Sequence, residues 1–181
     1  MVIRSLGKNS GVGYKAVWGR TGYGAALQWE APGWYGERAC FGGGYNGSSD
    51  LNEIDYVAIM TIGNASDFGN LTNTRQYIAG TSNGTRGMFM GGGNASGTPY
   101  AITDYITVAT TGNATDFGDN TQARFGFGGC NNQTRGIWGG GKRSSGATDR
   151  MDYATIATVG NATDFADLTQ VKQGTSACAG A

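Results

Sequence analysis

The stretch Arg135-Gly136-Ile137-Trp138-Gly139-Gly140-Gly141 decides how this chain folds, because it is one of three related copies. Each copy begins with arginine, continues with a short run that contains apolar residues, and ends in three glycines. About twenty residues later comes a second signature, Gly160-Asn161-Ala162-Thr163-Asp164-Phe165. The other copies of the two signatures lie at 38–44 and 86–93, and at 63–68 and 112–117. A spacing of roughly 48 residues is typical of a repeat architecture, in which each unit packs on its neighbours to bury a core.

The signatures divide the chain into a short opening segment and three repeats. The repeats cover 38–85, 86–134 and 135–181. Residues 1–37 are interpreted as a truncated N-terminal unit or docking segment, since Lys15-Ala16-Val17-Trp18-Gly19 mirrors 135–139. We therefore expect one compact domain overall, built from three repeats and an incomplete one.

Composition favours an all-β fold. The 181 residues include 34 glycines but only two prolines, and 39% of them are hydrophobic. This is typical of short strands separated by tight turns around a real core. Each repeat carries four strand signals: the apolar run before the glycines, an alternating run, a segment after the Gly-Asn turn, and a final segment near 124–130. Four strands per unit is the count of a propeller blade.

The alternating run 102–109 shows where such a strand lies. One face carries Ile102, Asp104 and Ile106, and the opposite face carries Thr103 and Tyr105. In the first repeat, aligned on the shared Asp-Tyr pair, both faces of this strand likewise carry apolar residues. A strand that is apolar on both faces is predicted to lie between two packed layers.

Charge and hydropathy argue against several partners. The 13 basic and 13 acidic residues balance, and they form no basic cluster of the kind that binds nucleic acid. The sequence has no apolar run long enough to insert into a membrane and no visible secretory leader. We expect a protein made in the cytoplasm that does not bind nucleic acid and does not insert into a membrane.

The chain offers little for catalysis. It has no histidine, so a Ser-His-Asp or Cys-His arrangement is impossible. The three cysteines are interpreted as structural free thiols. The stretch 141–144 resembles part of a phosphate-binding loop but lacks the helix that such a loop needs. We predict no catalytic residue, no metal site and no cofactor.

Charged residues recur in step with the repeats, which favours a structural role for them. They form two acidic rows and one cationic row, made of Asp55, Asp104 and Asp152, of Asp67, Asp116 and Asp164, and of Arg75, Arg124 and Lys172. We expect them to make hydrogen bonds and ion pairs within or between repeats rather than to bind calcium or magnesium.

The order of these signals resembles the kelch repeat. It reads Ile137-Trp138-Gly139-Gly140, Asp152-Tyr153, Phe165 and Lys172, with arginine at 75 and 124. The Ile-Asp-Tyr or Thr-Asp-Tyr phrase, followed by 156–169 and together with 134–141, looks more specifically like the kelch-like arrays of tailed-bacteriophage structural proteins, such as tail fibres and related appendages. The resemblance covers 38–181. It implies a kelch-like β-propeller and a non-enzymatic virion protein.

Two groups of residues are candidates for contact with partners. The loops 45–50, 94–100 and 142–149 vary most between repeats, as recognition loops on a fixed scaffold do. Their candidate residues for binding a host-surface glycan or protein are Tyr45, Asn46, Tyr100, Lys142 and Arg143. The opening segment is rich in aromatic residues that suit an interface: Trp18, Trp29, Trp34 and Tyr35. The alternative function is therefore a capsid or tail decoration protein that docks on other virion proteins through this segment.

Three and a half units fall short of the four to eight blades of a propeller. The N-terminal segment could supply a degenerate fourth blade within one chain. A second copy could instead complete the ring, because uncapped repeat arrays expose apolar faces that favour self-association. The aromatic opening favours assembly between copies, so we expect a homo-oligomer.

Overall fold

A computed structural model describes the backbone of Tyr14–Ala16 and Leu27–Trp29 and all of residues 37–180. The chain divides into two compact units, Met1–Gly36 and Glu37–Ala181. In the first unit, β1 (Tyr14–Ala16) and β2 (Leu27–Trp29) pair as an antiparallel hairpin. This hairpin includes the start of the segment that mirrors the repeats.

The second unit is all-β across its described residues, as the composition predicts. Its strands form three antiparallel sheets. Sheet 1 contains β3 (Arg38–Tyr45), β4 (Asp50–Ala58) and β5 (Ser66–Asn70). Sheet 2 contains β6 (Ala79–Ser82), β7 (Arg86–Met90), β8 (Ile102–Thr107) and β9 (Thr115–Asp119). Sheet 3 contains β10 (Gly128–Asn131), β11 (Arg135–Gly139), β12 (Lys142–Arg143), β13 (Gly146–Thr155) and β14 (Thr163–Lys172).

The sheets do not coincide with the sequence repeats. The last strand of the first repeat, β6, pairs with β7 of the second, and β10 of the second repeat pairs with β11 of the third. The prediction that the four strand signals of a repeat form one unit is corrected accordingly. The segments 71–78 and 120–127 carry the chain from one sheet to the next, so each of the first two repeats contributes its final strand to its neighbour.

The glycines after the first strand of each repeat are needed for this crossover. Gly92 has a φ of 102°, and a Cβ atom placed there would lie 2.8 Å from the carbonyl oxygen of Gln76 in the crossover segment. Gly43 has a φ of 66°, and its Cβ would lie 2.5 Å from the carbonyl oxygen of Arg75. Only glycine combines this backbone conformation with so close an approach.

Two hydrophobic clusters fill the spaces between the sheets. Between sheets 1 and 2, Ile54 and Phe68 pack with Phe89 and Ile106. Between sheets 2 and 3, Met88, Met90, Phe117, Trp138 and Ile156 pack together. The prediction for the run 102–109 is confirmed, since Ile106 lies in one cluster and Tyr105 packs against the other.

A buried ion pair joins each sheet to the next. The Arg75 guanidinium in the first crossover lies 3.0 Å from the Asp104 carboxylate on β8, and both side chains are fully buried. Thr72 donates its hydroxyl to the same carboxylate at 2.7 Å. Arg124 and Asp152 repeat the pair at 2.9 Å between sheets 2 and 3, where Thr121 donates at 2.6 Å. The prediction of inter-repeat ion pairs is confirmed for these two aspartates.

The Gly-Asn turns also join neighbouring sheets. The Gly112 N–H donates to the Phe68 carbonyl at 2.7 Å, and the Asn113 side chain accepts from the Asn70 N–H at 3.0 Å. Between sheets 2 and 3, Gly160 donates to Phe117 in the same way. The second signature is therefore a connector between sheets as well as a turn within one sheet. In contrast, Asp67 and its equivalent Asp116 accept hydrogen bonds from local N–H donors.

We predict that Gly92→Ala destabilises the fold by about 3 kcal/mol, because it adds a steric clash to backbone strain. Gly47 is the matched control, since its φ is 93° but nothing lies within 4 Å of its Cβ position. Gly47→Ala should cost only about 1 kcal/mol, from strain alone. Denaturant unfolding of both variants measures the difference, and equal losses would contradict the crossover role of Gly92.

Asp152→Asn should lower the free energy of unfolding by about 3–5 kcal/mol, because it leaves the buried Arg124 charge without its counterion. Asp164 provides the control, since its 3.7 Å pair with Arg150 is partly exposed. Asp164→Asn should cost less than about 1 kcal/mol. Thermal or denaturant unfolding compares the two, and a small loss in Asp152→Asn would show that the buried pair is dispensable.

Candidate functional site

The variable loops and the crossover segments contact each other. Gln76, in the first crossover, forms a β-bridge with Gly93 after β7. The equivalent bridge joins Phe125, in the second crossover, to Lys142. Each bridge consists of two backbone hydrogen bonds, both 2.9 Å long in the first bridge and 2.8 and 3.1 Å long in the second. The crossover segments therefore anchor the loops that follow the triple glycines.

The loops of sheets 1 and 2 also contact each other directly. The carboxylate of Asp50, at the start of β4, accepts a hydrogen bond from the Ala95 N–H at 2.9 Å. Because Ala95 lies in the loop between β7 and β8, this bond fixes two recognition loops side by side. These loops and crossovers form one surface, which we call the loop surface: 45–50, 76–77, 93–100, 125–126 and 142–145.

An aromatic cluster stands on the loop surface. The rings of Tyr77 and Phe125 lie 5.7 Å apart with a tilt of 30°, and the Lys142 ammonium lies 6.0 Å from the centre of the Phe125 ring. Tyr77 is 61% exposed. Lys142 is exposed and Phe125 is half-buried. An exposed ring beside a cation suits a ligand that has both an apolar face and polar groups.

Tyr77 is held in a conformation that a tyrosine rarely adopts. Its φ is 57°, and it is the only residue other than glycine with a positive φ among the described residues. The equivalent positions in the next two repeats are Gly126, with a φ of 64°, and Gly174, with a φ of 67°. A left-handed conformation costs a bulky residue about 1–2 kcal/mol. A strained and exposed aromatic residue where two repeats have glycine is a candidate for function.

The predicted recognition residues occupy different environments. Tyr45 is 47% exposed at the end of β3. The Asn46 side chain accepts from the N–H groups of Ser48 and Ser49, so it shapes a turn. Tyr100 and Arg143 are half-buried, whereas Lys142 is exposed. Tyr45 and Lys142 are thus the most available of the five for a ligand.

Sequence reasoning missed Tyr77 and Phe125. Both lie in the crossovers, which the sequence pattern indicates only as connections between strand signals. A signal for Tyr77 is nevertheless present, since superposing the repeats places it opposite Gly126 and Gly174. Of the predicted docking residues, Trp18, Trp34 and Tyr35 lie outside the described residues. Trp29 lies in β2, of which only the backbone is described.

Burial shifts the pKa of two groups among the described residues. Burial lowers the pKa of the Arg124 guanidinium while Asp152 opposes the shift, and the guanidinium stays charged because its ordinary pKa is so high. Burial raises the pKa of the Cys40 thiol, with Arg38 opposing, so the thiol stays protonated at neutral pH. Cys40, Cys130 and Cys178 are free. Residues 37–180 contain no cluster of histidine, cysteine or carboxylate side chains that could hold a metal ion.

A scan of the sequence against protein-family models finds no matching family, and a search of curated proteins finds no match. Among the described residues, no helix has the length and apolar character required to cross a membrane.

We predict that Tyr77→Gly is more stable than Tyr77→Ala by about 1 kcal/mol. Both variants remove the ring, but only glycine relieves the left-handed strain. Denaturant unfolding of the two proteins isolates this difference, because the lost contact with Phe125 is common to both. Equal stability would mean that the backbone at position 77 relaxes and stores no strain.

Proposed function

We propose that this protein is a non-enzymatic structural component of a tailed-bacteriophage virion. In this role it is part of a tail fibre or related appendage and takes part in attachment to the host surface. The single observation that carries the proposal is the loop surface, on which a strained tyrosine is exposed above a firmly packed three-sheet scaffold. The resemblance of the repeated phrases to kelch-like phage arrays supports the virion assignment.

The sheets are proposed to be blades of a kelch-like β-propeller. Supporting this arrangement, sheet 2 has four strands in sequential order and shares one hydrophobic cluster with sheet 1 and another with sheet 3. The exchange of one strand between successive repeats ties the blades together. In such an array the loops between the first and second strands of each repeat lie at the same end, which suits a binding surface.

A host-surface glycan is the ligand that best fits the aromatic cluster. The apolar face of a sugar ring packs on an exposed aromatic ring, as Tyr77 provides, while hydroxyl or acidic groups bind a neighbouring cation such as Lys142. The proposed role is non-catalytic. This non-catalytic role is supported by the burial of the Asp104 and Asp152 carboxylates, which arginine and threonine side chains hold between the sheets.

Adsorption of phage particles tests the proposal. Particles carrying the triple variant Tyr45→Ser, Tyr77→Gly and Lys142→Ser should adsorb to host cells at least about tenfold more slowly, because ligand contacts worth about 1.4 kcal/mol or more are lost. The substitution at 77 introduces the residue of the other repeats, so the fold is kept. The control is Val159→Ser, which alters an exposed residue in the turn between β13 and β14, at the opposite end of sheet 3 from the loop 142–145.

Two outcomes separate attachment from the alternative role of a capsid or tail decoration protein. Unchanged adsorption by a triple variant that is fully incorporated into particles would contradict the attachment role. The decoration role is favoured by the separate unit Met1–Gly36 with its aromatic residues. It requires that a chain lacking residues 1–37 fail to enter particles, and normal incorporation of that chain would contradict it.

A further inference from the structure

Among the described residues, the two outer faces of the three-sheet array are the unmatched halves of its own internal junctions. We call the outer face of sheet 1 the leading face, defined by Phe41, Asp55 and Ile59. The outer face of sheet 3 is the trailing face, defined by Phe165, Thr169 and Lys172. The internal junctions bury the equivalents of all these residues except Thr169, whose equivalents are exposed but donate their hydroxyls to the buried aspartates. Whatever covers these faces must therefore satisfy the same contacts.

The leading face is recognised by its register within sheet 1. Phe41 pairs with Asp55 across β3 and β4, as Phe89 pairs with Asp104 and Trp138 with Asp152 in the other sheets. Phe89 and Trp138 are 7% and 1% exposed, but Phe41 is 62% exposed. Asp55 is exposed too, and its carboxylate makes no hydrogen bond within residues 37–180. The turn beyond it adds exposed apolar side chains, namely Ile59, Met60 and Ile62.

The trailing face carries the complementary groups. Phe165 is 46% exposed, whereas its equivalents Phe68 and Phe117 are almost fully buried. Thr169 and Lys172 occupy the positions at which Thr121 and Arg124 bind an aspartate of the next sheet. Lys172 is exposed and forms no ion pair with the described residues. The trailing face thus presents a cation and a hydroxyl that can bind a carboxylate, and the leading face presents a carboxylate.

Two further contacts that involve backbone groups recur at the internal junctions, and one half of each lies on an outer face. At the internal junctions a Gly-Asn turn bonds to the preceding sheet, and the turn 63–64 on sheet 1 is exposed and has no such neighbour within residues 37–180. The arginine that begins each repeat also reaches forward to the next sheet: Arg86 donates to the Ile156 carbonyl at 3.0 Å, and Arg38 to the Val108 carbonyl at 3.2 Å. Arg135 is the exposed equivalent on sheet 3.

We propose that the leading face of one copy binds the trailing face of a second copy, head to tail, with Asp55 accepting from Lys172 and Thr169 across the interface. The occupant is a second copy because a copy carries the matching groups of both faces in the register of the internal junctions, whereas residues 1–36, although they include cations and hydroxyls, do not. Residues 1–36 contain no aspartate and no copy of the second signature. Such a contact between different faces forms a closed ring or a filament. This inference does not depend on the role in a virion.

Complementary charge reversals test the interface. Asp55→Lys and Lys172→Asp should each weaken self-association of the full chain at least about tenfold, because each places like charges together. An equimolar mixture of the two variants should recover association, since the new lysine of one variant then meets the new aspartate of the other. Sedimentation velocity across a concentration series measures all three samples. Asp119→Lys is the control with the same charge change on the middle sheet.

Recovery in the mixture shows that both variants are folded, and it identifies the two faces as partners. Three results would overturn the proposal: a wild-type chain that stays monomeric, single variants that associate as the wild type does, or a mixture no better than its components. The proposal would also be overturned if Asp55→Lys lost association but Lys172→Asp did not. That result would assign the leading face to another occupant such as Met1–Gly36. Host adsorption is measured separately, so failure here leaves the attachment role untouched.

Discussion

The ion pair between a crossover arginine and the aspartate of the next sheet sets the geometry on which the array depends. Removing two charges from water is costly, and Nε of both Arg75 and Arg124 has no hydrogen-bond partner in the described structure. Net stability therefore comes mainly from the hydrophobic clusters on either side. The pair instead specifies how neighbouring sheets align, because any other alignment would bury Asp104 or Asp152 without a counterion.

This constraint explains why the crossover backbone approaches the triple glycines so closely. For Arg75 to reach Asp104, the segment that carries it must pass directly beside the ends of β3 and β7. Glycine leaves room for its carbonyl groups and supplies the left-handed conformation that turns the chain away. The same tight passage leaves residue 77 in a left-handed conformation, so a scaffold requirement also produces the strained tyrosine of the loop surface.

Much of the scaffold could be predicted from the sequence, because its features repeat. Three copies of each signature indicated the strand signals, and the recurring aspartates and arginines pointed to ion pairs between repeats. The offset between repeats and sheets could not be predicted in this way. Periodicity is the same wherever a repeat is taken to begin, and only the pairing of β6 with β7 shows that the final strand belongs to the next sheet.

The candidate site was less predictable for the opposite reason, since it lies where the repeats differ. Tyr45 and Lys142 were found because their loops vary, but variation alone also selected Asn46, whose side chain builds a turn. Tyr77 lies in a crossover whose sequence shares only Thr72 and Arg75 with the next crossover, so its replacement of glycine does not stand out. The two outer faces show a further limit: Phe41 and Phe89 have the same residue type and register, and only the array's packing makes one exposed and the other buried. Position in the array, which no single repeat encodes, therefore decides whether a repeated side chain serves the core or remains available to a partner.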